Sequence, residues 1–135
     1  MTTASETDRP ENDMPIHTMS TPAAHQLVAD LFDIIDTENW DELGRVFAQD
    51  CVCHPPGVEP LVGMAAIDRY YRHDRPVAAG SHRIDRVVSD IGAAACWGRF
   101  TGQSRAGDLL DVEFAEAFLV CDGKIVSRTT YVRRR

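Results

Sequence analysis

The sequence has no apolar run approaching the length needed to span a bilayer, and its first residues lack the apolar stretch of a secretory signal. These two absences lead us to expect no membrane partner and a cytoplasmic protein. An excess of positive charge is missing too. Lys and Arg number 14 against 21 Asp and Glu, a formal net charge of −7, which argues against nucleic acid as a partner. Arg133, Arg134 and Arg135 form a basic tip too small for an anionic site, so it reads as a solvated tail. Paired metal-binding cysteines are also lacking. Cys51 and Cys53, in "CVCH", have no second C-x₂₋₄-C pair to complete a zinc site. With Cys96 and Cys121 they read as buried reduced thiols, and no metal is expected. No internal repeat is visible.

What is present is a chain of 135 residues, enough for one domain with a real core. Residues 1–20 are rich in Thr, Ser, Pro and acids and lack an apolar period, so we expect a disordered tail. Met19 is a candidate start beside Met1. The domain is expected over residues 21–135. Thr21 as cap and Pro22 at the first helical position open a helix reaching Asp36, with Leu27, Leu31 and Ile34 at helical spacing. "NWDELGRVFAQD" predicts a second, shorter helix with Leu43, Val46 and Phe47 inward. "CVCHPPG" predicts a short strand stopped after His54 by Pro55 and Pro56. "VEPLVG" reads as an extended return, and "MAAIDRYYRHD" as a third helix ended by Pro76.

From there the pattern has period two. "SHRIDRVVSD", "AAACWGRFTGQ", "LLDVEFAEAFLV" and "KIVSRTTYVRR" predict four antiparallel strands, with Asp122-Gly123 a strong hairpin signal. The expected class is therefore α+β: a cone-shaped, curved, mostly antiparallel mixed sheet with three helices on its concave side. Its narrow end is packed and its mouth can hold a small molecule.

One residue breaks the inward row of the third long strand. Side chains alternate along a strand, so Val112, Phe114, Glu116, Phe118 and Val120 share the inner face. A carboxyl between two phenylalanines loses hydration, which disfavours its charged form and suits it to proton transfer. The alternative is a buried ion pair with an arginine such as Arg99 or Arg128. His82 shares parity with Ile84 and Val88 and can face the same hollow as a proton donor, or be a core histidine satisfied by backbone groups.

The helical part "TPAAHQLVADLFDIIDTENWDELGRVFAQD" resembles the first two helices of the nuclear transport factor 2-like superfamily. "GSHRIDRVVSD…WGRFTGQ…DVEFAEAFLVCDGKIVSRTTYV" is similar to its SnoaL-like polyketide cyclase and ketosteroid isomerase branch. The resemblance covers about residues 22–132 and implies a cystatin-like roll. It makes Glu116, in "EAFLV", the match of a pocket-facing acid, and His82 the match of a histidine in SnoaL-like cyclases and scytalone dehydratase. Asp36 then matches that dehydratase's helical aspartate, though it could equally cap the next helix. His54 stands near the place of the isomerases' catalytic aspartate, and Leu31 replaces their oxyanion-binding tyrosine. Both are departures from the isomerase pattern.

The resemblance implies a cofactor-free cyclase or isomerase working by acid–base chemistry on a small hydrophobic carbonyl compound of polyketide type. Glu116, His82 and His54 are the catalytic candidates. Asp36, Tyr70, Tyr71, Phe100, Phe114, Phe118 and Tyr131 are the substrate-binding candidates. The alternatives are a non-catalytic binding or dimerisation module and a dehydratase or hydrolase. Trp97 has parity opposite to Phe100 and should lie outside, which makes a homodimer across that face reasonable.

Overall fold

A computed structural model describes residues 21–134. The expected tail over 1–20 lies outside the described residues, as does the capping side chain of Thr21. Helix α1 spans Thr21–Asp36. Its buried row is Leu27, Val28, Leu31, Phe32, Ile34 and Ile35, none more than 7% exposed. Each such side chain contributes on the order of 1.5–3 kcal/mol by leaving water. The helix ends in a left-handed residue, Glu38 (φ 55°), with Asn39 N donating to Ile34 O and Glu38 N to Ile35 O. This Schellman closure stops α1 just past Asp36.

A 3₁₀ turn, Trp40–Arg45, follows, and strand β1 then begins at Phe47 and runs to His54. The expected second helix is thus a 3₁₀ segment of six residues. Phe47–Asp50 is strand because Phe47, itself 1% exposed, pairs with Ile125 of the last strand. A pairing with the far end of the chain leaves no mark on local periodicity. Strand β2, Leu61–Val62, returns antiparallel to β1. Helix α2, Met64–Arg69, continues into a π-helical turn over Tyr70–Asp74.

The long strands are β3 (Val77–Asp90), β4 (Ala93–Ser104), β5 (Leu109–Cys121) and β6 (Lys124–Arg134). Six strands form one curved, open sheet in the order β2-β1-β6-β5-β4-β3, antiparallel except for β1 beside β6. The mixed sheet under three helices matches the expected α+β architecture. Asp122 and Gly123 both have positive φ (52° and 75°) between the paired Cys121 and Lys124, the two-residue hairpin turn that Asp-Gly favours.

Two of the sheet's register shifts overturn the expected parity of side chains. In β3, Ile84 opposes Gly98 but Arg86 opposes Trp97, so Asp85 is extra. Val87 turns inward and Val88, expected inside, is 45% exposed. In β6, Ser127 opposes Leu119 but Ile125 opposes Val120, so Val126 is extra. Ile125 and Arg128 are both buried, three residues apart, where strict alternation would put them on opposite faces.

Candidate active site

A cavity of about 280 Å³ opens between the helices and the concave sheet. Phe100, Phe114, Glu116 and His82 reach it from the sheet, and Tyr70, Tyr71 and Arg75 from the third helical segment. His54, with Pro55 and Pro56, also lines it, and His54 is exposed to solvent. Three of the expected substrate-binding residues do not line it: Asp36, which lies behind His82, Phe118 and Tyr131. Phe118, 2% exposed, packs in the solid core with Ile125 and Cys96. Tyr131 is 61% exposed and lines a groove on the opposite face with Trp97, Arg83 and Arg133. The β6 bulge is the reason: it hands the inner face to Arg128, Thr130 and Val132.

Glu116 is inward, as its parity requires, but it is not a lone desolvated carboxyl. Arg128 Nε donates to its Oε1 and Nη2 to its Oε2, both at 2.8 Å. Thr130 Oγ1 donates to Oε1 at 2.7 Å. The two charged side chains are 1% and 7% exposed. Burial works against the charge on Arg128, yet Glu116, together with Tyr71 and Cys53, more than offsets it and holds the guanidinium above its ordinary range. Of the two readings the sequence offered for Glu116, the structure has the buried ion pair with Arg128. Bidentate ion pairing gives the carboxylate the partners that the neighbouring phenylalanines cannot. Arg128 also donates from Nη1 to Tyr71 Oη at 2.6 Å and lies over the Phe32 ring. Because Tyr71 accepts that bond, its own proton is free to be donated. Burial raises the pKa of Tyr70 and Tyr71, so both phenols stay neutral.

The second polar group is Asp36 with His82. His82 Nδ1 lies 2.6 Å from Asp36 Oδ1, and the His82 backbone N–H donates to Oδ2 at 2.9 Å. Asp36 does not cap the next helix; it clamps both the ring and the backbone of β3. A carboxylate at a helix C-terminus opposes the helix dipole, and these two bonds compensate it. A carboxylate can only accept, so Nδ1 carries the proton and Nε2 is left with a lone pair. The imidazole packs among Phe32, Phe100 and Phe114, with ring centroids 4.6, 4.7 and 5.3 Å away. Such a histidine is fixed in tautomer and in direction.

Arg75, Thr130 and Phe32 were not among the candidates read from the sequence. Arg75 follows a run of charged residues at a helix end. Yet it is 9% exposed, over the rings of Trp40 and Tyr71. Cys51, Cys53 and Cys96 are buried free thiols, as expected, whereas Cys121 is exposed. The hydrogen bond between Cys51 and Cys53 raises the first and lowers the second, and burial pushes Cys96 up to about 12. Among the described residues no three His, Cys, Asp or Glu side chains are grouped to hold a metal, and no helix is long and apolar enough to cross a membrane.

Comparison with known proteins follows the same lines. A family model described as SnoaL-like domain matches residues 28–128. A search of curated proteins gives no match. Among solved structures, a presumed SnoaL-like polyketide cyclase from Jannaschia sp. CCS1 is 13% identical with a TM-score of 0.72, covering 91% of each chain. An LEH-like epoxide hydrolase from M. tuberculosis is 18% identical with a TM-score of 0.73, covering 84% of each. A presumed ketosteroid isomerase from Kribbella flavida DSM 17836 is 22% identical with a TM-score of 0.71, over 85% of this chain and 81% of that one. At these identities the likeness shows the fold and leaves the reaction to the site.

Proposed function

Because the chain belongs to the SnoaL-like domain family, we propose that it is an acid–base enzyme acting on a small hydrophobic carbonyl compound of polyketide type, as a cyclase or isomerase. The observation that carries this reading is His82 on the wall of the cavity, held from behind by Asp36. Nε2 of His82 takes a proton from the carbon next to the substrate carbonyl. Asp36 holds the other ring nitrogen and stabilises the imidazolium that forms. The Tyr71 hydroxyl, whose oxygen is held by Arg128, donates to the oxygen on which charge develops. Glu116 positions Arg128, and through it Tyr71. His54 is the second proton-carrying group, at the solvent side. Every step needs side chains alone, and no cofactor enters.

A second reading, elimination of water, is favoured by the same pair. Once Nε2 has taken the α-proton, the imidazolium can return it to a departing hydroxyl. Both readings begin with α-proton abstraction, so one experiment tests both. Deuterium exchange at the α-carbon of a panel of aryl ketones and β-diketones, followed by NMR, should be catalysed by the wild type. His82→Asn should slow it by about 10²–10⁴-fold, and Asp36→Asn should slow it less, with thermal stability retained. Exchange at the wild-type rate in folded His82→Asn would remove the assignment. A cytoplasmic homodimer, joined across the outer sheet face that carries Trp97, completes the proposal.

A further inference from the structure

Arg75 raises a question that the proton chemistry does not answer. Its guanidinium lies 5.9 and 5.5 Å from the ring centroids of Trp40 and Tyr71, and the residue lines the cavity. Its backbone is pinned on both sides: N donates to Tyr70 O at 2.7 Å, and O accepts from Arg105 Nε at 2.5 Å. Among the described residues, however, no carboxylate and no hydrogen-bond acceptor meets the guanidinium itself. An arginine that is only 9% exposed is normally paired. Here the nearby acids are committed elsewhere. Glu116 is taken by Arg128 and Thr130, and both Asp36 oxygens are taken by His82.

We infer that the cavity takes a hydrophobic substrate bearing a carboxylate, which Arg75 binds while the aromatic walls hold the carbon skeleton. The inference rests on the reading above for where the substrate lies, and adds its chemical class. A guanidinium held beside the stacked Trp40 and Tyr71 rings offers parallel N–H donors that match the two oxygens of a carboxylate. A bound carboxylate supplies the counter-charge that the fold withholds. Burial draws the Arg75 pKa down, and an anion beside it would reverse that effect. Arg134, which also lines the cavity but is exposed, adds a positive charge that attracts an anion as it approaches.

The test compares two probes of one shape, 2-naphthoate and 2-naphthamide, by calorimetric titration of the full chain. Wild type should bind the carboxylate at least about tenfold tighter, the value of a charge-assisted bond. Arg75→Gln should erase that difference, and Arg134→Gln should keep it. Equal affinities for wild type, or no binding of either probe, would overturn the inference, and so would an unchanged preference in folded Arg75→Gln. The wild-type comparison decides the matter even where Arg75→Gln does not fold. His82→Asn separates this inference from the catalytic one. It should keep the preference for carboxylate whether or not proton exchange survives.

Discussion

At the scale of single residues, two carboxylates met different fates. Glu116 and Asp36 each hold a partner on the inner face, yet only Glu116 is neutralised by a guanidinium. Replacing Glu116 by Gln leaves Arg128 buried without its counter-charge. That should cost about 3–5 kcal/mol, read as a lowered denaturation midpoint in urea. Adding Arg128→Met to the same chain removes the stranded charge and should recover much of the loss. A Glu116→Gln protein as stable as wild type would show that the pair does not hold the fold. Loss of turnover in Glu116→Gln alone therefore says little about proton transfer, and His82 is the informative position. The sequence exposed Glu116 by parity alone. It could name Arg128 only as one of two arginines, because a partner on the next strand, opposite Phe118 and diagonal to Glu116, leaves no local signal.

At the scale of elements, the two bulges decide the site. The β3 bulge forces the backbone of Arg83 against β4, where only glycine fits: a Cβ on Gly98 would stand 1.8 Å from Arg83 O. Gly98→Ala should cost at least about 1–3 kcal/mol, the usual cost of overpacking. Gly44→Ala, with nothing within 4 Å of the new atom, is the control and should change little. Equal urea midpoints for the two variants would contradict the geometry of the bulge. Bulges insert one residue with no change in composition or hydropathy. Alternation counted from the sequence therefore held through β4 and β5 but failed in β3 past Ile84 and in β6 past Ile125. That single slip sent Tyr131 outside and Arg128 inside.

At the scale of the whole molecule, the sheet has two faces with different duties. The concave face carries the core and the cavity. The outer face leaves Trp97 44% and Tyr131 61% exposed, beside the ion pairs Arg99–Asp111 and Arg133–Glu113. Large aromatics ringed by charges mark an association surface. A homodimer there should cover on the order of 800 Å² per partner. Sedimentation equilibrium should return twice the chain mass for wild type and the single mass for Trp97→Arg. A monomeric wild type would exclude the dimer.

The sequence by itself determined the element order, the hairpin at Asp122-Gly123, the parity of β4 and β5, and hence an acid on the inner row. These follow from periodicity and turn chemistry, which act over a few residues. Only the tertiary structure decided that Phe47–Asp50 is strand, that Asp36 reaches His82 across 46 positions, and that Arg128 neutralises Glu116. It also left Arg75 facing the cavity. Each of these is a contact between distant segments, set by sheet register and bulges, and register is fixed by what the folded chain can bury together.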